Sequence, residues 1–141
     1  MGQQQLLLLV LGIVIVGLAV VAGIQAFGEN QKKANADAIT NDVIRIASDA
    51  QAWNLKPTAF GGGNGSFAAV TFPKLGYELT SGNYVNLNGQ YVLSGAGIAT
   101  LTIRGCSLKN KNTVTSTVIG TGPGDITTNV AGNNGTACTA I

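Results

Sequence analysis

Between Leu6 and Ile24 the chain carries nineteen residues without a charge, interrupted only by Gly12, Gly17 and Gly23. As a helix rising about 1.5 Å per residue, such a run reaches roughly 28 Å, close to the roughly 30 Å of bilayer hydrocarbon. It is long enough to cross a membrane. A secretory signal would show a basic n-region, a shorter apolar core and a small-residue cleavage site ahead of an unrelated mature chain. Here Met1, Gly2, Gln3, Gln4 and Gln5 precede the run without a cation. The nearest side-chain cations, Lys32 and Lys33, lie on the far side, and in an ordinary signal anchor they would hold the C-terminal part in the cytoplasm. That orientation conflicts with a body whose composition suits export. The conflict disappears if a short basic leader preceded Met1 and was cut away while the apolar helix was kept.

The apolar period continues past Ile24. Phe27, Ala34, Ala38, Ile39, Val43, Ile46, Ala47, Ala50 and Trp53 recur mostly at helical spacings, so a helical stripe is expected to run on to about Trp53. Lys33/Asp37 and Arg45/Asp49 stand four apart, Glu29/Lys32 and Asp42/Arg45 three apart, and each pair supports an exposed helix face by a few tenths of a kcal/mol. Lys56-Pro57 ends the pattern, because the residue before a proline is pushed out of the helical region. The expectation is one helix over residues 1–53, roughly 75 Å long, apolar in its first half and amphipathic in its second.

Charged residues are 10% of the 141, and histidine is absent. The six carboxylates are Glu29, Asp37, Asp42, Asp49, Glu78 and Asp125, and four of them fall in the early helical segment. General acid–base catalysis and metal binding have little to work with, so neither an enzyme, a cofactor nor a metal site is expected. The eight cations are spread along the chain rather than gathered in a stripe, which argues against a specific nucleic-acid interface. The cysteines, Cys106 and Cys138, are both late. One disulfide formed in an oxidising compartment is the economical reading, and two buried thiols are the alternative. A bridge would close a loop of about 33 residues and contribute on the order of 3 to 4 kcal/mol.

From Asn54 to the C-terminus, residues 54–141, the texture is Gly, Thr, Asn and small apolar residues. "FGGGNGS" at 60–66 reads as a linker or loop, since no Lys-Ser or Lys-Thr follows its last glycine as a phosphate-binding loop requires. In "YVNLNGQYVL", Asn88-Gly89 is expected to make a tight turn between strands at 84–87 and 90–93. Alternating runs at 98–104, 113–119, 125–130 and 136–141, separated by Gly/Pro/Asn turns, complete an antiparallel sheet. One face of that sheet would cover Val43, Ile46, Ala50 and Trp53, giving an α+β fold. Asp125 in "GPGDIT" reads as a turn residue, and Tyr77, Tyr84 and Tyr91 as strand packing. Asn64-Gly65-Ser66 and Asn134-Gly135-Thr136 match the N-glycosylation pattern.

A charge-free apolar half-helix starting near the terminus, an Ala-rich amphipathic half and a short β-rich head with a late cysteine pair resemble the mature N-terminus and layout of type IV pilins and the pseudopilins of type II secretion. Met1 fits the aromatic or Met start common in that family, whereas Gln5 stands where the family carries a glutamate and Ala22 where a proline is frequent. The resemblance implies a structural subunit of an exported filament, a helical homopolymer in which Met1, Gln5, Leu6, Leu9, Gly12, Ile13, Gly17, Val20 and Ile24 form the assembly helix. It implies an inner-membrane pool before assembly, a leader peptidase and assembly machinery as partners, and a role in adhesion, motility or DNA uptake. By the same resemblance the Cys106–Cys138 bridge would bound a variable surface region at 107–137, the alternative being a plain staple. The Gln3–Gln5 cluster would hydrogen-bond between subunits or sit in the headgroup layer. The competing readings are a secretion-system pseudopilin and a membrane-anchored extracellular binding module.

Overall fold

Helix α1 spans Gly2–Leu55 in the computed structural model, which describes residues 2–131. Five antiparallel strands follow in meander order: β1 (Tyr84–Val85), β2 (Gln90–Ser94), β3 (Leu101–Cys106), β4 (Thr113–Val118) and β5 (Ile126–Ala131). This is the α+β architecture expected, with the C-terminal part of α1 packed on a small sheet. By its contacts the chain divides into two units, Met1–Lys33 and Ala34–Ile141. The run at 136–141, Cys138 and Asn134 lie outside the described residues.

Within the second unit α1 buries Ile39, Val43, Ile46, Ala47, Ala50 and Trp53, a stripe at intervals of three and four broken by a single step of one. The expected stripe began earlier, but Phe27 and Ala34 are exposed and burial starts at Ile39. The sheet meets the stripe with alternate residues: Tyr91 and Leu93 from β2, Leu101, Ile103 and Gly105 from β3, Val114, Ser116 and Val118 from β4. A side chain on Gly105 would place its Cβ 2.6 Å from Ile39 Cγ2, 2.8 Å from Val43 Cγ2 and 2.9 Å from Tyr91 Cε1. The bare backbone there lets helix and sheet approach. Opposite Ile103, Ser116 is fully buried and satisfies its hydroxyl on the Thr127 carbonyl.

Of the two readings, linker or loop, the glycine-rich stretch is a loop, and it folds back to cap α1. Pro57 stops α1, leaving the last carbonyls without intrahelical donors. The chain then folds back: Gly63 N–H donates to Trp53 O (2.9 Å), Gly65 N–H to Asn54 O (2.8 Å) and Asn64 N–H to Lys56 O (3.0 Å). Trp53, expected in the core, is buried there and donates its indole N–H to Gly61 O at 2.9 Å. Asn54 is buried as the penultimate residue of α1.

The hairpin forms in a different register from the one expected. Tyr84 pairs with Tyr91 and Val85 with Gln90, so four residues, Asn86 to Gly89, make the connection. Asn86 N–H donates to Gly89 O, while Asn86 Oδ1 accepts from the N–H groups of Asn88 and Gly89. Gly89 does not take the left-handed conformation of a two-residue turn; it is glycine because a Cβ would lie 2.4 Å from Cys106 O. Similarly, β3 begins at Leu101 rather than at residue 98, because Gly97 N–H closes a turn on Thr100 O and Ile98 O accepts Phe67 N–H.

Candidate functional site: an exposed apolar helix surface

In the unit Met1–Lys33 every Leu, Ile, Val and Phe from Leu6 to Phe27 exposes at least 51% of its surface. Leu6, Leu9, Ile13, Val20 and Ile24 are among them, and Gln5 is exposed as well. Gly12 and Gly17 have open space where a side chain would stand. Met1 lies outside the described residues. Successive helical residues turn by about a hundred degrees, so the apolar surface goes all the way round rather than forming one stripe. The helix is long and apolar enough to cross a membrane, and none of its most apolar window is buried. Its backbone hydrogen bonds are satisfied internally, so apart from the Gln25 amide the surface from Leu6 to Phe27 presents apolar groups to whatever covers it.

The glycines of this helix repeat in alternate members. Gly12 and Gly23 are eleven residues apart, as are Gly17 and Gly28. Eleven residues make three helical turns, so each pair shares a face and offers two shallow notches. Counting every second glycine reveals the repeat.

The second unit is held to its helix by polar contacts. Asp42 Oδ2 accepts from Tyr91 OH at 2.6 Å, Asn88 Nδ2 at 2.7 Å and Asn86 Nδ2 at 2.8 Å. Burial pushes the Asp42 carboxyl up, but the hydrogen bonds from Asn88, Tyr91 and Asn86 and the charge of Arg45 outweigh it and hold its pKa below the ordinary carboxylate value. Burial and the bond to Asp42 push the Tyr91 phenol well up. Tyr77 OH bonds to Asp49 Oδ2, and burial together with that carboxylate raises its pKa too. Asp42 and Asp49, expected to serve exposed ion pairs with Arg45, anchor the head. Asn35 Nδ2 donates to Asn88 O, and Gln51 Nε2 donates to Gly120 O and Gly122 O. Phe72, Tyr77, Tyr84 and Tyr91 form a ring ladder with neighbouring centroids 4.7 to 6.2 Å apart, which carries Asp49 and Asp42 contacts on one aromatic wall. None of this was legible in the spacing of the tyrosines.

Comparison of the chain with family models, curated proteins and solved structures gave no match. Among the described residues no group of three or more His, Cys, Asp or Glu could hold a metal ion. Asp125 sits in the β4–β5 turn, where its carboxylate accepts Gly122 N–H at 2.7 Å. Cys106 is fully buried at the end of β3 and is not a free thiol; its expected partner, Cys138, lies outside the described residues. Asn64 is exposed on the helix-capping loop, with a positive φ of 49°. The second sequon, at Asn134, lies outside the described residues.

Proposed function

We propose that this chain is the structural subunit of an exported surface filament of the type IV pilin kind, a homopolymer held together by its apolar helices. The observation that supports this reading is the all-round exposure of the apolar residues between Leu6 and Phe27, against full burial of Ile39, Val43, Ala47 and Ala50 later in the same helix. Monomeric proteins rarely leave contiguous apolar area on this scale in water. Lipid would cover it while the subunit waits in the inner membrane, and identical helices would cover it after assembly. A contact that joins one subunit's surface to a different surface of the next does not close on itself and generates a fibre.

The helix-on-sheet architecture is pilin-like, and the cap, the close approach at Gly105 and the Asp42 network tie the head to the C-terminal part of α1. A Cys106–Cys138 bridge would add to it. Gln5 takes the place of the family's glutamate: its carboxamide accepts a hydrogen bond from an ammonium but brings no charge, and it costs less in an apolar surrounding. Subunits would register through that amide and the glycine notches rather than through an ion pair.

The test is to shear appendages from the source cells, weigh the dominant band and determine its N-terminal residue. One abundant band at the 14.3 kDa of the chain plus any glycan, beginning at a processed terminus, is expected. A protein that stays in the membrane at low copy would refute the filament and favour the anchored binding module.

A further inference from the structure

Two Asn–Gly dipeptides fall among the described residues, Asn64–Gly65 and Asn88–Gly89. Glycine after asparagine leaves the backbone nitrogen free of side-chain hindrance, and this permits an intramolecular reaction. The glycine nitrogen gives its proton to hydroxide and attacks the asparagine Cγ. A C–N bond forms, the bond from Cγ to Nδ2 breaks, and the amide nitrogen leaves as ammonia after taking a proton from water. Water then opens the resulting succinimide to aspartate or isoaspartate.

The two sites are held very differently. At Asn64 the side chain is exposed and the restraint is on the backbone, through Asn64 N–H to Lys56 O and Gly65 N–H to Asn54 O. At Asn88 both reacting partners are engaged. The nucleophile, Gly89 N–H, donates to Asn86 Oδ1 at 3.0 Å, and the leaving group, Asn88 Nδ2, donates to Asp42 Oδ2 at 2.7 Å. Asn88 N–H also donates to Asn86 Oδ1 at 2.9 Å, Asn88 O accepts Asn35 Nδ2 at 3.2 Å, and buried Gly89 abuts the Cys106 carbonyl.

We propose that Asn88–Gly89 is a latent deamidation site, held shut by Asn86 and Asp42, and that its reaction makes opening of the β1–β2 connection irreversible. Two effects close the site. Deprotonating Gly89 forfeits its hydrogen bond. Turning the Asn88 carboxamide toward Gly89 breaks its bond to Asp42. Irreversibility follows from the product. A carboxylate oxygen would stand where Nδ2 now lies 2.7 Å from Asp42 Oδ2, and isoaspartate would lengthen a loop closed by Asn86 N–H on Gly89 O.

The experiment uses the full chain in detergent micelles at mildly alkaline pH, with and without urea, following each dipeptide by peptide mass and isoaspartate content. Asn88 is expected to react at least about tenfold more slowly in the native protein than in urea, because only the open fraction is reactive. It should also lag Asn64 in the same native molecules. Asn86→Ala should raise the native Asn88 rate about tenfold while leaving Asn64 unchanged, which shows that the head is still folded. Where Asn86→Ala accelerates both sites, Asp42→Asn decides: selective acceleration of Asn88 supports the latch, and an unchanged Asn88 rate overturns it. Equal Asn88 rates in native protein and urea overturn the proposal. So does recovery of the native near-ultraviolet signal, once urea is removed, by molecules already deamidated at Asn88.

Discussion

Replacing Gly105 by alanine tests the helix–sheet contact on which the head depends. The added Cβ would meet Ile39 Cγ2 at 2.6 Å, Val43 Cγ2 at 2.8 Å and Tyr91 Cε1 at 2.9 Å. Carbon atoms prefer about 3.5 to 4.0 Å, so three side chains from two elements must each give way by roughly 1 Å. Ile39, Val43 and Tyr91 are fully buried, and Tyr91 is further tied to Asp42, so little room exists to relieve the overlap. Overpacking of this kind costs about 1 to 3 kcal/mol. For a unit of this size each kcal/mol lowers Tm by about 4 to 8 °C. Thermal unfolding of the full chain in detergent, followed by near-ultraviolet circular dichroism from Trp53 and the tyrosines, reads the effect. Gly124→Ala, at a position with open space, serves as the control and should leave Tm within about 2 °C. Val43→Ala combined with Gly105→Ala should cost less than the sum of the two single changes, since the first removes a methyl that the second strikes. A Gly105→Ala protein as stable as the parent would refute the close approach of α1 to β3, and strict additivity would refute the contact with Val43.

Stability at low pH should depend on Asp42. Its carboxyl is held below 3.8 in the folded chain, so its contribution is complete above that value and is lost as pH falls through the lower folded one. The urea midpoint should therefore fall in acid for the parent, while Asp42→Asn, already weaker by about 2 kcal/mol at neutral pH, should show a flatter acid limb; parallel profiles would remove Asp42 from the account. Cys138→Ser should lower the stability of the oxidised head by on the order of 3 kcal/mol and make it insensitive to reductant; unchanged thermal unfolding with and without reductant in the parent would argue against the bridge.

The helix was legible because its signals are local. Leu6 to Ile24 without a charge, the recurrence from Ile39 to Trp53 and the stop at Lys56-Pro57 each act through neighbours in sequence, and α1 ends within two residues of where they place its end. Strands β4 and β5 were legible for the same reason, their alternation lying between Gly- and Asn-rich turns. The β1–β2 register was not. Asn88-Gly89 carries the local signature of a two-residue turn, yet Asp42, more than forty residues away, draws in the carboxamides of Asn86 and Asn88 and widens the loop to four. The glycine stretch at 61–65 was legible as a loop but not as a cap, because its partners are the carbonyls of Trp53, Asn54 and Lys56.

The sequence by itself determined that one helix would be apolar on all sides and then amphipathic, and that a small antiparallel sheet would follow. Periodicity and turn chemistry are properties of the chain read a few residues at a time. Tertiary structure decided which residues start the buried stripe, where Gly105 and Gly89 must be bare, and which donors Asp42 collects. Those outcomes depend on which distant atoms come within contact distance, and a linear pattern carries no such distance.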